Sequence, residues 1–194
     1  MRSKIFSGIS RTQVVVLLLA VTALTAGAAE MRSVEVERID GRYVMRSEVH
    51  FAASVEAVYS VFANYDLSTQ FSGAIVESRN IDAEEGGLPG YYVRNRGCVL
   101  FFCTSFERYG YIELEPYKVI RARVDPARSD FHLSNESWRF EPEGKGTVVT
   151  YDLEFEPKFW VPPVIGPYVI KRKLRDDGGD AVERIESIAR ELKL

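Results

Sequence analysis

The stretch that decides the fold is TVVTYDLEF, residues 147–155, in which the side chains alternate cleanly between two faces. One face carries core-compatible side chains, namely Thr147, Val149, Tyr151, Leu153 and Phe155. The other face carries Thr150, Asp152 and Glu154. A period of two residues with one apolar face is typical of a half-buried antiparallel strand.

A helical stripe follows this strand and extends to the C-terminus. Small or apolar residues recur every three or four positions, at Leu174, Gly178, Ala181, Val182, Ile185, Ile188, Ala189 and Leu192. Such a stripe must pack on an apolar surface, and it predicts one long C-terminal helix. A glycine inside a helix costs about 1 kcal/mol relative to alanine. The pair Gly178-Gly179 therefore indicates either a bulky neighbour or a tightly packed strand.

The residues before the deciding stretch predict further strands and a short helical segment. Asp40-Gly41 is a two-residue hairpin signal between alternating segments at 34–39 and 42–51. A helix is expected from its N-cap Ser54 to about residue 64, with one more turn at 66–71. Five short strands then follow, at 74–82, 91–98, 103–114, 118–125 and 132–140. This order predicts an α+β domain with a curved antiparallel sheet around the C-terminal helix.

The first 29 residues have the layout of a cleavable signal peptide. Arg2, Lys4 and Arg11 precede an uncharged segment over residues 14–29, whose apolar centre is VVVLLLAV and whose end is rich in small residues. An uncleaved anchor is the alternative, but a spanning helix needs about 20 apolar residues and this stretch is shorter. Cleavage leaves one domain over residues 30–194, in the periplasm or outside the cell.

Net charge argues against one class of partner. Without the predicted leader the chain has 22 Lys and Arg against 28 Asp and Glu, a formal charge of −6. Nucleic-acid-binding domains usually carry a strongly basic patch, so no nucleic-acid partner is expected. The oligomeric state is left open.

Two cysteines lie five positions apart in GCVLFFC, residues 97–103. On a continuous strand Cys98 and Cys103 would face opposite sides, so a bond between them requires a turn at residues 99–102. An exported protein meets an oxidising environment, and we expect the disulfide to form. Two buried free thiols are the alternative.

Three stretches, taken in order, resemble the START-like or helix-grip (SRPBCC) superfamily, in particular its polyketide cyclase and coenzyme Q-binding branch. They are FAASVEAVYSVFANYDLSTQF at 51–71, NESWRFEPEGKGTVVTYDLEFEP at 135–157 and IKRKLRDDGGDAVERIESIA at 170–189. In order, they resemble the strand-to-helix opening, the final hairpin and the closing helix of that fold. All three are fold signatures, and none is a catalytic motif. The resemblance extends over residues 42–194 and implies the helix-grip fold.

The resemblance also implies an apolar cavity between the sheet and the C-terminal helix, which in relatives holds sterols, phospholipids, isoprenoid quinones or polyketides. Face assignments give the expected wall residues as Tyr59, Phe62, Trp138, Phe140, Tyr151, Leu153, Leu174, Val182 and Ile185. The 10 tyrosines and 11 phenylalanines fit a cavity wall and a packed core equally well. We expect a protein that binds or carries a lipid, an isoprenoid quinone or a similar ligand, with no cofactor and no chemical step.

The segment PKFWVPPVIGPYVIKRK, residues 157–173, contains an apolar wedge in a loop broken by prolines, and a cationic patch follows that loop. The resemblance places it near the cavity entrance. Phe159, Trp160 and Val161 beside Lys171 and Arg172 favour transient contact with an anionic bilayer. The alternative is that the aromatic residues pack beneath the helix while the basic residues are solvated. A protein that only docks on a membrane or a partner complex would combine an exposed Trp160 loop with a filled interior.

The sequence contains no signature of metal binding or catalysis that would force an enzymatic interpretation. His50 and His132 lack metal-ligand neighbours at suitable spacing, and G-x-S-x-G, H-E-x-x-H and P-loop motifs are absent. The enzyme alternative, a cyclase or dehydratase, requires inward polar pairs such as an arginine with a carboxylate. The candidates are Arg94, Arg96, Glu107, Arg108, Asn135 and Glu136, for each of which a solvent-facing position is the simpler interpretation.

Overall fold

The structure, a computed structural model, describes residues 28–83, 87–99, 102–161 and 166–192. Residues 1–27, which hold most of the predicted signal peptide, lie outside the described residues. The strands within these ranges are β1 (Glu30–Ile39), β2 (Arg42–Phe51), β3 (Ile75–Ile81), β4 (Gly90–Val99), β5 (Phe102–Glu115), β6 (Val119–Val124), β7 (Phe131–Glu143) and β8 (Gly146–Pro157). The α-helices are α1 (Val55–Ala63), α2 (Ser68–Phe71) and α3 (Gly166–Glu191), and short 3₁₀ turns cover Tyr65–Leu67 and Pro126–Arg128.

The strands form one curved antiparallel sheet in the order β1-β2-β8-β7-β6-β5-β4-β3. The β1–β2 hairpin turns at Asp40 and Gly41, whose φ angles of 48° and 88° are the positive values that a two-residue turn needs. The predicted N-cap of α1 is confirmed, because the Ser54 hydroxyl accepts a hydrogen bond from the Ala57 backbone N–H. The sheet and the long helix confirm the predicted α+β helix-grip fold.

The two halves of α3 pack on different parts of the molecule. Its C-terminal half buries Val182, Ile185 and Ala189 in a cluster with α1 and strands β2, β7 and β8. Its N-terminal half places Ile170 and Leu174 against a second cluster built from β1, β2, β7 and β8. The helix therefore covers the β1–β2 side of the sheet, and the concave face of β4–β6 lies beyond it.

The helix begins earlier than its sequence pattern indicates. The apolar stripe begins at Leu174 and the resemblance placed the closing helix at 170–189, whereas α3 begins at Gly166. Pro167 is the second residue of the helix, where a missing backbone N–H removes no internal hydrogen bond. Lys171 and Arg172 are therefore helical residues.

The glycine pair in α3 makes no close contact with a strand. A methyl group at Gly178 would meet only the ends of Met31 and Met45, at 3.7 and 3.9 Å. A methyl group at Gly179 would meet nothing within 4 Å. Tight strand packing, one of the two explanations expected for the pair, is therefore wrong.

Replacing Gly179 by alanine is expected to raise the free energy of unfolding by about 1 kcal/mol, because the helix gains propensity without a clash. Urea denaturation of the full chain measures this. Gly144→Ala is the matched control: Gly144 has a φ of 63°, so alanine there should destabilise the fold. An unchanged or lower stability of the Gly179 variant would contradict the prediction.

Candidate functional site

Two charged side chains face the concave side of the sheet and form a buried ion pair. Arg108 on β5 lies opposite Val93 of β4, and Glu136 on β7 lies opposite Leu153 of β8, both of which are buried. Arg108 Nη1 donates to Glu136 Oε1, and the side chains are 16% and 6% exposed. Removing two charges from water is costly, and such a pair adds little stability compared with apolar packing. Its position on an apolar face therefore marks a candidate functional site.

A tyrosine completes the hydrogen bonding of the carboxylate. The Tyr151 hydroxyl on β8 donates to Glu136 Oε2 at 2.9 Å. The Tyr151 ring stacks on Trp138 with 5.0 Å between ring centroids. Glu136 is thus held by one neighbour on each oxygen, and an indole and a phenol ring lie beside the pair.

Four buried polar atoms around the pair have no hydrogen-bond partner within the described part of the chain. They are the hydroxyl oxygens of Tyr65 and Tyr91, Oδ1 of Asn95 and Nε of Arg108. Tyr65 and Tyr91 stack at 4.6 Å, and both interact electrostatically with Arg108 and Glu136. Nearly all buried polar groups in proteins are satisfied, so these atoms are available to water or to a ligand.

Asn80 on β3 positions Tyr65 in this cluster. Its Oδ1 accepts a hydrogen bond from the Tyr65 backbone N–H at 3.2 Å. Its Nδ2 donates to Asn64 Oδ1 at 2.7 Å and to Asp66 Oδ2 at 2.9 Å. These bonds fix the 3₁₀ turn against the edge of the sheet, so that the Tyr65 ring reaches over β4.

The environment keeps the three phenols neutral and the guanidinium charged at neutral pH. Burial, followed by the nearby Glu136 carboxylate, raises the pKa of Tyr65, Tyr91 and Tyr151 well above the usual value. Burial alone lowers the pKa of Arg108, but attraction to Glu136 and the surrounding tyrosines outweighs it and leaves that pKa raised. The site therefore presents O–H and N–H donors around one neutralised charge pair.

Stability at alkaline pH tests this arrangement. A raised folded-state pKa contributes stability that is present below the unfolded pKa of about 10 and is lost as the pH rises above it. The free energy of unfolding should then fall by up to about 1.4 kcal/mol per pH unit for each tyrosine. Urea titrations between pH 8 and 11 measure the slope, and Tyr65→Phe should make it shallower. Equal slopes for the two proteins would contradict the burial of this phenol.

The predicted wall residues fall into two packed groups. One group lies in the cluster around α1 and the C-terminal half of α3: Tyr59, Phe62, Phe140, Val182 and Ile185, with Trp138 against it. The other lies in the cluster beneath the N-terminal half of α3: Tyr151, Leu153 and Leu174. Phe62, Trp138, Tyr151 and Leu174 remain half-buried, whereas the other five are buried.

The half-buried inward side chains form a continuous track on the concave face. Phe106 is the next inward residue to Arg108 along β5, and its ring stacks on Phe159 at 5.4 Å. Val124, Tyr151 and Leu174 pack on the same cluster and are also half-buried. This track connects the ion pair with the loop that precedes α3.

Two open depressions have volumes of about 300 and 440 Å³, and the first of them also borders Glu136 and Leu153. Both are lined largely by charged or polar side chains of the outer face and its edge, among them Arg121, Arg123, Asp152, Arg42 and Glu156. Such surroundings do not suit an apolar ligand. The concave track is therefore the better candidate for a ligand chain.

The residues predicted to form the entrance lie in the segment before α3 and in the first turns of that helix. Phe159 is half-buried among aromatic rings, whereas Trp160 is 79% exposed and Val161 is half-buried. Lys171 is half-buried and Arg172 is exposed on α3, where Tyr168 is also 68% exposed. Residues 162–165, which connect the two groups, lie outside the described residues.

The six polar residues considered for an enzymatic site lie on two different faces of the sheet. Arg108 and Glu136 turn inward and meet, which corrects the expectation that each faces solvent. The other four have outward positions in their strands: Arg94, Arg96, Glu107 and Asn135. Tyr65, Tyr91 and Asn95 were not among the predicted site residues. Strand alternation could have identified Asn95, because Tyr91, Val93 and Asn95 share one face of β4.

The predicted disulfide is confirmed. Cys98 and Cys103 are bonded and lie directly opposite each other in the β4–β5 hairpin. The strands end at Val99 and begin again at Phe102, so the connection falls where the turn was expected. Oxidised cysteines are consistent with an extracytoplasmic location.

The described residues contain neither a metal-binding cluster nor a membrane-spanning helix. Across residues 28–83, 87–99, 102–161 and 166–192, His, Cys, Asp and Glu form no group of three or more that could hold a metal ion. In the same ranges no helix is both long and apolar enough to cross a membrane.

The fold and the candidate site agree with a comparison to known families. Residues 42–189 match the family model described as polyketide cyclase / dehydrase and lipid transport. The chain belongs to this family. A search of curated proteins finds no match to it.

Solved structures share the fold at low sequence identity. A STAR-related lipid transfer protein from Xanthomonas axonopodis is 15% identical, with a TM-score of 0.62 over 84% of this chain and 99% of that chain. The Zhui aromatase/cyclase from Streptomyces sp. R1128 is 13% identical, with a TM-score of 0.58 over 79% and 96%. A START superfamily protein from Mycobacterium smegmatis is 20% identical, with a TM-score of 0.58 over 77% and 98%. These likenesses show the fold alone.

Proposed function

We propose that the chain is an exported protein that binds or carries a hydrophobic ligand on the concave face of the sheet, without a chemical step. The observation that carries this proposal is the Arg108–Glu136 pair, which lies with unpartnered polar atoms at one end of an apolar track. The polar cluster would hold the ligand's head, and the track would hold its chain. Burial of that chain stabilises the complex by about 25 cal/mol per Å² of apolar surface.

Export is the second part of the proposal. The predicted signal peptide over residues 1–29 and the Cys98–Cys103 bond both support it. After cleavage the protein would reach the periplasm or the medium and meet ligands that have left, or are leaving, a membrane.

Ligand extraction tests the proposal. The full-length gene, with its leader, is expressed in its native host, and the protein is purified from the extracytoplasmic fraction without detergent. Mass spectrometry of an organic extract should find one class of lipid or isoprenoid in about stoichiometric amount, and the intact mass should lack the leader. Protein that retains the leader would contradict export, and protein that neither carries nor takes up an apolar ligand would contradict ligand binding.

Transfer of the ligand at a bilayer surface is proposed for the loop before α3. Phe159 contacts Phe106 of the track, and the next residue, Trp160, is exposed. Lys171 and Arg172 lie in the first turns of the helix that follows. Apolar side chains beside basic ones suit the surface of an anionic bilayer.

Trp160→Ala is expected to weaken binding to anionic vesicles by about tenfold, because the loss of an indole removes over 1.4 kcal/mol of apolar burial. Co-sedimentation with vesicles containing phosphatidylglycerol measures this. Leu88→Ala, at another exposed apolar residue, is the matched control and should bind normally. Equal binding by wild type and the Trp160 variant would contradict the proposed contact.

A second candidate function is supported by the inward ion pair. A cyclase or dehydratase needs polar groups within the cavity, and Arg108, Glu136 and Tyr151 would be its candidates. The experiment is incubation with a soluble poly-β-ketone thioester mimic, followed by chromatography of the products. Enzymatic formation of cyclised product that Arg108→Met abolishes would favour this candidate, and unchanged substrate favours the carrier.

A further inference from the structure

We propose that the ligand's head is uncharged and presents hydrogen-bond acceptor oxygens, as the carbonyl group of a ketone or an ester does. This inference rests on the proposed function, because it assigns the chemistry of the head to the same polar cluster. It excludes fatty acids, phosphate monoesters and other lipids whose heads are ionised at neutral pH.

Charge balance is the first argument. The cluster contains one cation and one anion, Arg108 and Glu136, which neutralise each other in direct contact. The same carboxylate also accepts a hydrogen bond from Tyr151. An anionic head would be desolvated beside a carboxylate and without a free cation, and a cationic head would meet the guanidinium. An uncharged head avoids both penalties.

The balance of donors and acceptors is the second argument. In the described part of this cluster, three buried groups have a hydrogen to donate and no partner: the Tyr65 and Tyr91 hydroxyls, which can also accept, and the Arg108 Nε–H, which can only donate. Asn95 Oδ1 can only accept. A carbonyl oxygen has two lone pairs and no hydrogen, so it can accept from two of these donors. An alkane would leave all of them unsatisfied.

The positions of the donors support a single binding point. The Tyr65 and Tyr91 rings stack with 4.6 Å between their centroids, and both hydroxyl oxygens are buried. Val93 lies opposite Arg108, and Tyr91 is the next inward residue of β4. The track of half-buried apolar side chains begins at the following inward residue of β5, Phe106. A ligand whose carbonyl group lies near the two tyrosines can therefore place its apolar chain along this track.

A matched ligand series tests the inference. The probes are a long-chain methyl ketone and the fatty acid, the alkyl phosphate and the alkane of the same carbon number. Each displaces a fluorescent apolar probe from the full chain at pH 7. We expect the ketone to bind at least about tenfold more tightly than each of the other three.

Two variants assign the selectivity to these residues. Tyr91→Phe removes an unpartnered hydroxyl without opening a cavity, so the fold should persist while ketone affinity falls about fivefold and alkane affinity stays constant. Glu136→Gln leaves the guanidinium without its counter-charge and should shift the preference toward the fatty acid. Circular dichroism confirms that each variant is folded.

The outcomes separate this inference from the function on which it rests. Failure of all four ligands to bind contradicts the proposed function itself. Binding of all four with similar affinity leaves that function intact and overturns the head-group inference. Tighter binding of the fatty acid or the phosphate to the wild type, or unchanged ketone affinity in Tyr91→Phe, also overturns it.

Discussion

Replacing Glu136 by alanine is expected to lower the free energy of unfolding by about 3–5 kcal/mol, because it leaves the buried Arg108 guanidinium without a counter-charge. The substitution also removes the acceptor of the Tyr151 hydroxyl, which then joins the unpartnered groups around it. Urea or thermal denaturation of the full chain measures the loss. Apolar-ligand binding should fall with it, since the polar end of the site is disrupted.

Two controls distinguish a buried pair from an ordinary surface one. The double variant Arg108→Met/Glu136→Met replaces both charges with apolar side chains and should recover most of the stability. Glu154→Ala removes an exposed carboxylate that pairs with Arg42, and it should cost less than about 1 kcal/mol. A Glu136 variant no less stable than the Glu154 variant would contradict the burial of the pair.

Replacing Gly110 by alanine is expected to destabilise the fold by about 3 kcal/mol or more, because overpacking against a backbone cannot be relieved by a side-chain rotation. The added methyl group would lie 2.8 Å from the Val124 Cα and closer still to the Arg123 carbonyl oxygen, both on β6. Strands β5 and β6 would have to separate at this point. Arg108, the next inward residue of β5, would move with them, so ligand binding should fall as well.

Gly97→Ala is the matched control, because Gly97 is also a strand glycine. Its added methyl group would meet only the Phe106 ring, at 3.4 Å, which is an ordinary contact distance. A stability change below about 1 kcal/mol is expected for Gly97→Ala. Equal effects of the two substitutions would contradict the close approach of β5 and β6.

Strand alternation and helical periodicity predicted most of the fold. The face assigned to residues 147–155 is the observed one, and the α1 cap and the hairpin at Asp40-Gly41 were predicted from local chemistry. The start of α3 was missed because Pro162, Pro163 and Pro167 suggest a loop, whereas a proline at the second position of a helix is tolerated. Proline content alone does not separate these two cases.

The polar centre of the site was harder to predict. On β5, Tyr109 and Tyr111 lie on the outer face while Ile112 is buried on the inner face, so aromatic content does not reveal which way Arg108 points. On β7, Glu136 lies on the same strand face as Trp138 and Phe140. Strand alternation therefore does indicate that Glu136 points inward. A lone carboxylate is usually solvated, and only the arginine supplied by another strand explains its burial.

Contacts between residues that are distant in sequence also position the other members of the polar cluster. Tyr65 reaches the site because Asn80, on a different element, fixes its backbone. The residues next to Tyr65 in the sequence do not predict its hydrogen bond to Asn80. The sequence therefore predicted the apolar surroundings of the site more completely than its polar centre.

Photo-crosslinking tests the central claim most directly, namely that an apolar ligand lies on the concave face with its head at the Arg108–Glu136 pair. A long-chain ketone with a diazirine near the carbonyl is bound to the full chain, irradiated and mapped by peptide mass spectrometry. Labels should fall on inward residues of β4, β5 and β7, close to Tyr91, Phe106 and Trp138. Labels confined to the outer face or to the Trp160 loop would contradict the account.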